Sequence, residues 1–209
     1  CYYRICAYSK KDSVVSAVAE YSVIIDKYNY YYDESYTGED SDGTKQRPYN
    51  NFTQCLASIN NGRSALLKIS GSMHVPSGKN DLLSNCTFIN DYAAEIIFDE
   101  NASIVVKGST LTLQDFTLLY EHGKSSSATK IASLIKLENA VLDMDNCQIG
   151  AVFGKNAYLF DMSNSTLNIT NSIISVSAEE YVSFSNGLKS RITISKSIIN
   201  TSGKTCVGI

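Results

Sequence analysis

Three stretches near the C-terminus stack in register: Val141-Leu-Asp-Met-Asp-Asn-Cys-Gln-Ile149, Thr166-Leu-Asn-Ile-Thr-Asn-Ser-Ile-Ile174 and Arg191-Ile-Thr-Ile-Ser-Lys-Ser-Ile-Ile199. Leu142, Leu167 and Ile192 are 25 residues apart, as are Met144, Ile169 and Ile194, and Ile149, Ile174 and Ile199. A second ladder runs Leu134, Leu159, Phe184, Ile209 at the same spacing. A fixed period of this length predicts a solenoid, in which each repeat buries its apolar face only by stacking on a neighbour. Strand side chains alternate faces, so Leu142, Met144 and Ile149 point inward while Asp143 and Asp145 point outward.

Composition narrows the function classes. The 209 residues are 44% hydrophobic and 19% charged, which fits a folded domain rather than a disordered chain. The net charge of −3 leaves nothing to neutralise a run of phosphates, so nucleic acid is not an expected partner. No apolar run reaches the roughly 18 residues of a transmembrane helix. The cysteines at 1, 6, 55, 86, 147 and 206 form no CxxC pair and no zinc spacing with His74 or His122. Cys86 and Cys147 read as equivalent positions in two repeats, matched by Phe116, Ser172 and Ser197, and therefore as small buried side chains. Cys1 invites a lipid-anchored reading, although Tyr2-Tyr3-Arg4-Ile5 is not the small, polar tether such an anchor takes. Cys1 and Cys6 can pair only in an oxidising compartment. Asn51, Asn85, Asn101, Asn164, Asn168 and Asn200 each open an N-x-[ST] triplet, which an Asn/Ser/Thr-rich solenoid produces by composition.

Ahead of the repeats the pattern changes. Residues 1–28 read as a lead-in or the tail of a preceding module. Asp12-Ser13 is placed to cap a helix through Val14, Val15, Val18 and Ala19, and Tyr21–Ile25 reads as a strand. Residues 29–64 read as a cap. A tyrosine-rich strand (Tyr30, Tyr31, Tyr32) enters an Asp/Gly/Ser loop, Pro48 ends it, and a short helix follows with Phe52, Cys55 and Leu56 on one face. Tyrosines are concentrated before residue 50, a half-buried cap surface that can also stack on sugar rings. A buried-type strand, Ala65–Ile69, opens the rungs of 65–209.

That order resembles the N-terminal entry of the pectate-lyase-like right-handed parallel β-helix superfamily, whose loop pattern is matched by Gly38, Asp40, Asp42, Gly43, Thr44, Pro48 and Tyr49. With the 25-residue rungs, the resemblance covers residues 28–209. It implies an all-β, right-handed parallel β-helix with an N-terminal cap helix, and points toward secreted or cell-surface proteins of host-associated bacteria. A left-handed β-helix is disfavoured because its repeat is a hexapeptide.

The earlier rungs fit with longer turns. Asn85-Cys-Thr-Phe88, Asp115-Phe-Thr-Leu118 and Asn146-Cys-Gln-Ile149 align at spacings of 30 and 31, the second interval absorbing a polar loop over 122–130. Asn85, Asp115, Asn146, Asn171 and Lys196 then share a bend, where Asn and Asp tolerate left-handed backbone. Val207 and Ile209 fall on the positions of Val182 and Phe184, so a new rung has begun; it is expected to continue or to be covered by another chain.

Enzymes of the resembled superfamily work on an outward sheet face, hydrolases with clustered aspartates and lyases with acidic Ca²⁺ ligands and a basic residue. Here the outward ladders read Thr112, Asp143, Asn168, Thr193 and Gln114, Asp145, Thr170, Ser195. Asp143 and Asp145 are the candidate catalytic pair and, with Asp161, Asn168 and Thr170, the candidate ligand contacts; the preferred reading is a solvated outer face. A hydrolase needs one protonated and one ionised carboxylate flanking the bond, a lyase a metal and a base. No Arg or Lys stands on those two ladders, and Arg191 and Lys196 lie two rungs away. Asp40 and Asp42 are candidate cation ligands in a loop read mainly as a turn, so Ca²⁺ is the one cofactor entertained. His74 and His122 are placed in loops without partners. The expectation is therefore a non-catalytic extracellular or cell-surface module, an adhesin or stalk touching glycan or a host surface. The alternative is a polysaccharide lyase or glycoside hydrolase acting on acidic polysaccharide.

Overall fold

The computed structural model describes residues 30–121, 132–154 and 156–207, with the backbone of short strands before them. Those are β1 (Tyr2–Ile5), β2 (Tyr8–Ser9), β3 (Val14–Val15) and β4 (Ala19–Ser22), paired antiparallel as β1 with β4 and β2 with β3. Val14 and Val15 are thus strand residues rather than part of a helix capped by Asp12-Ser13. A β-branched pair suits a pleated strand better than a helix turn.

From β5 (Tyr30–Asp33) onward the chain coils. The helix α1 (Phe52–Ile59) buries Phe52, Cys55 and Ile59 against the first coil, with Leu56 only partly covered. Asn51 caps its start by accepting from the Gln54 N–H at 3.1 Å. Asn60 ends it and ties it to the coil, donating to the Asp81 carbonyl at 2.7 Å and accepting from the Leu83 N–H at 2.8 Å.

The rungs follow: β6 (Ala65–Val75) and β7 (Gly78–Leu82); β8 (Cys86–Phe98) and β9 (Ala102–Lys107); β10 (Thr110–Gln114), β11 (Thr117–Glu121) and β12 (Ala132–Glu138); β13 (Val141–Asp145), β14 (Gln148–Phe153) and β15 (Asn156–Ser163); β16 (Thr166–Thr170), β17 (Ile173–Ala178) and β18 (Tyr181–Leu188); β19 (Arg191–Ser195), β20 (Ile198–Ser202) and β21 (Thr205–Val207). Every rung-to-rung pairing is parallel. The result is a parallel β-helix of about five turns, nearly all β, with rungs of about 25 residues. Three faces surround one core. The first carries β10, β13, β16 and β19, the second β11, β14, β17 and β20, and the third β7, β9, β12, β15, β18 and β21. The long strand β8 spans the first two faces, which is why they form one continuous sheet there.

The core is a set of columns. Leu111, Leu142 and Leu167 stack, as do Leu113, Met144 and Ile169, all at most 2% exposed. Leu134, Leu159 and Phe184 form the same kind of column on the third face, each fully buried. Burying one such side chain is worth about 1.5–3 kcal/mol, and a lone rung has nothing to bury it against.

Corners interrupt the strands, and those on either side of the first face are left-handed rows. Asp115, Asn146, Asn171 and Lys196 have φ between 50° and 63°, separating the first face from the second. Gly108, Asn139, Asn164 and Lys189 form a like row between the third face and the first. Asn85 is not in the first row. Cys86 pairs with Leu111 and Phe88 with Leu113, so that segment aligns at 25 residues, not 30. Cys86 therefore shares a column with Leu111, whereas Cys147 shares one with Phe116 and Ser172. The corner of β8 falls at Ala93, with φ 44°, inside a bulge that Asn90 closes by accepting from Ala94 N–H at 2.9 Å and donating to Asp115 O at 2.6 Å. Burial holds the thiols of Cys55, Cys86 and Cys147 above their usual range, Cys86 at about 12, and makes them inert.

The last rung is one residue short. Val182 pairs with Cys206, so Val207 falls on Ser183 and not on Val182, because β20 is one residue shorter than β17 while the turns that follow them are equal in length. Ile209 lies outside the described residues.

A serine row closes the corners from inside. The N–H groups of Ala140, Cys147, Ser165 and Ser172 donate to the hydroxyls of Ser165, Ser172, Ser190 and Ser197 in the next rung, at 3.0–3.2 Å. Each hydroxyl donates in turn to a carbonyl two residues back in its own rung. A corner N–H left alone in this core would cost about 1–3 kcal/mol. Ser172→Ala is accordingly expected to lower stability by about 1–3 kcal/mol in urea unfolding, with Cys147 N–H losing its hydrogen-exchange protection; unchanged protection would refute this role.

Candidate functional site

On the first face the outward ladders are those of the sequence: Thr112, Asp143, Asn168, Thr193 and Gln114, Asp145, Thr170, Ser195. Asp143, Asp145, Asn168 and Thr170 line one open groove of about 400 Å³. Asp161, the fifth candidate, is on β15 of the third face and does not join them.

The carboxylates in this groove are bonded along the helix axis. Asn168 Nδ2 donates to Asp143 Oδ1 at 2.7 Å, and Asn171 Nδ2 to Asp145 Oδ1 at 2.9 Å. The same unit recurs elsewhere: Asn146 donates to Asp115 at 2.5 Å, and Asn186 to Asp161 at 3.0 Å. In each, an amide of one rung caps a carboxylate of the rung before. An amide spaced by the backbone ladder is well placed for this, and a bond to an ionised acceptor is the stronger kind. Asn171, read from sequence only as a bend residue, is thus also a partner of Asp145. The signal was present in its 26-residue offset from Asp145, one more than the rung period.

Asp40 and Asp42 sit in the cap loop, and Asp42 is fully engaged. Its Oδ1 accepts from Thr44 N–H at 3.0 Å and from the Thr44 hydroxyl at 2.8 Å, while Oδ2 pairs with Arg47. The hydrogen bonds from Thr44 and the charge of Arg47 hold its carboxyl below the usual range. Gly43 beside it has φ +80°, and a Cβ there would lie 2.3 Å from the Tyr49 ring, so the loop closes only with glycine. Among the described residues no three His, Cys, Asp or Glu side chains approach closely enough to hold a metal ion.

His74 differs from the sequence expectation. It lies in strand β6 rather than in a loop, and its Nδ1 is 2.7 Å from Glu34 Oε2. Glu34 follows β5 by one residue, and the parallel pairing of β5 with β6 brings the two within reach across 40 positions of sequence. His122 lies outside the described residues.

Sequence reading also missed two outward tyrosines on the third face. Tyr158 and Tyr181 meet edge to face, with ring centroids 5.9 Å apart and an interplanar angle of 81°. They are diagonal neighbours, since Tyr181 pairs with Asn156 and Tyr158 with Ser183. A contact offset from the rung period leaves no ladder in the sequence.

Comparison with family models, with curated proteins and with solved structures found no match.

Two outcomes test these assignments. Asp145→Asn is expected to keep most of the stability, because an amide oxygen still accepts from Asn171, whereas Asp145→Ala should lose about 0.5–1.5 kcal/mol in chemical unfolding. For the cap loop, the folded carboxyl of Asp42 lies below its unfolded value, so its contribution is whole above about pH 3.9 and is lost as the pH falls through the folded value. Asp42→Ala should therefore flatten the acid limb of the stability profile; an unchanged limb would place the acid sensitivity elsewhere.

Proposed function

We propose that this chain is a non-catalytic extracellular or cell-surface β-helix module that contacts glycan along its outward sheet faces. The supporting observation is the pairing of Asp143 with Asn168 and of Asp145 with Asn171. A glycosidase keeps one carboxyl protonated and one ionised across the scissile bond. Here both carboxylates are held in the same way, by amides of the next rung, and the same pairing recurs at Asp115 and at Asp161 on the third face, so it serves the stack rather than distinguishing an acid from a base. The order of tyrosine-rich strand, Gly/Asp loop, cap helix and rungs supports placing the module near the pectate-lyase-like superfamily and in a secreted setting.

A second reading, a lyase or hydrolase of acidic polysaccharide, is favoured by one feature: Asp143 and Asp145 share an open groove of about 400 Å³. It would use Ca²⁺ to bring a uronate against those carboxylates. A glycan array run with and without Ca²⁺, with products read by mass spectrometry, separates the two. The module reading expects binding with intact glycans. Unsaturated or shortened oligosaccharides would overturn it, and so would the absence of binding to any glycan.

A further inference from the structure

The third face carries a second set of groups suited to a sugar chain. Tyr158 and Tyr181 lie outward on β15 and β18 and are only partly covered. By contrast, the aromatic pairs Tyr120 with Phe153 and Phe160 with Phe184 are buried in the core. Tyr158 is flanked in its own column by two serines, Ser133 and Ser183, so no bulky neighbour within the column stands over its ring. An aromatic pair on an outer face is amphipathic: ring surface for apolar C–H groups, and hydroxyls for polar ones.

Three residues further along the strand, about 10 Å at the usual rise, stands a polar row. Lys136, Asp161 and Asn186 follow one another in consecutive rungs of one column. Lys136 Nζ lies 3.9 Å from Asp161 Oδ2, and Asn186 donates to Oδ1 at 3.0 Å. A carboxylate accepts at about four lone-pair sites, so Asp161 keeps acceptor capacity for hydroxyl groups while its neighbours hold it in place. Asn186 is exposed and offers both an amide donor and an acceptor.

We propose that Tyr158, Tyr181, Asp161 and Asn186 form a glycan-contact surface separate from the Asp143–Asp145 groove, and that its ligand is a neutral hexose polymer. The assignment of a sugar as ligand rests on the module reading above; the choice of this face and of a neutral chain does not. Stacking on the tyrosines takes the apolar face of a pyranose ring, and the Asp161 row takes its hydroxyls. Charge selects the class: the cation of this row, Lys136, is paired with Asp161 rather than left to take a uronate carboxylate, and the chain as a whole carries a net charge of −3.

The test is calorimetric titration of the purified chain with soluble β-1,4-glucan, α-1,4-glucan, β-1,3-glucan and β-1,4-mannan oligosaccharides, with oligogalacturonate as the charged probe. A neutral probe is expected to bind, and Tyr158→Ala and Tyr181→Ala each to weaken it about tenfold, with Tyr158→Phe and Tyr181→Phe retaining most of the affinity. Asn186→Ala, at an exposed position, tests the polar row without disturbing the tyrosines and should weaken binding several-fold. The double variant Asp143→Asn, Asp145→Asn should bind as the parent does. Loss of binding in that double variant, with the tyrosine variants unaffected, would overturn this surface and leave the module reading standing. Preference for oligogalacturonate would overturn the neutral ligand. Binding of none of the probes would overturn both this surface and the reading it rests on.

Discussion

The parallel backbone ladder between successive coils is the constraint on which everything else in this chain depends. A coil of about 25 residues cannot bury its own apolar side chains; it must lie on a neighbour at one strand spacing. That places Leu142 on Leu111 and under Leu167, and repeats the arrangement around three faces. At the corners before and after the first face the backbone enters the left-handed region, at Asn, Asp, Gly and Lys and, in β8, at Ala93, whereas the corner at Glu179–Glu180 turns without it. Asn and Asp reach that region at low cost because their side chains bond locally, whereas Lys189 and Lys196 occupy it without that help. At each corner the ladder loses a bond, and a serine hydroxyl from the rung above replaces it for Ala140, Cys147, Ser165 and Ser172. Core columns, left-handed corners and serine relays are three consequences of one requirement.

The same spacing shapes the outer surface. Residues one rung apart face each other at hydrogen-bonding distance, so an Asp followed by an Asn one rung later gives a capped carboxylate. An outer face built this way presents fixed hydroxyl, amide and carboxylate groups along the helix axis, a geometry suited to a repeating polymer. It also stabilises the stack that displays it. Asp143 and Asp145 thus serve the architecture itself, as amide-bonded links between rungs.

The periodicity made the fold legible from the sequence. Leu142, Leu167 and Ile192 announced both the rung length and the inward face, and Asp143 and Asp145 announced the outward one. Alignment failed where rungs differ in length. Asn85-Cys-Thr-Phe88 looked like Asp115-Phe-Thr-Leu118, but the Asn90–Ala94 bulge in β8 absorbs the extra residues later, so Cys86 belongs under Leu111. The strand β20 is one residue shorter than β17, which moved Val207 out of its expected column. Contacts off the period left no trace in the sequence: Glu34 with His74 across the cap, and Tyr158 with Tyr181 on a diagonal. The candidate groove was only partly legible, because Asn171 was read as a corner residue alone, although its second role as partner of Asp145 follows from the corner's position.

The most direct measurement of the stacked-rung account is a distance along one outward column. Thr87, Thr112, Asp143, Asn168 and Thr193 occupy successive rungs of the first face. Spin labels at Thr87→Cys and Thr193→Cys, in a chain with Cys1, Cys6 and Cys206 replaced by serine, sit four strand spacings apart. Double electron–electron resonance should then give a narrow distribution near about 19 Å, widened only by the label tethers. A broad distribution, or one centred well beyond that distance, would contradict the parallel stacking from which every other statement about this chain proceeds.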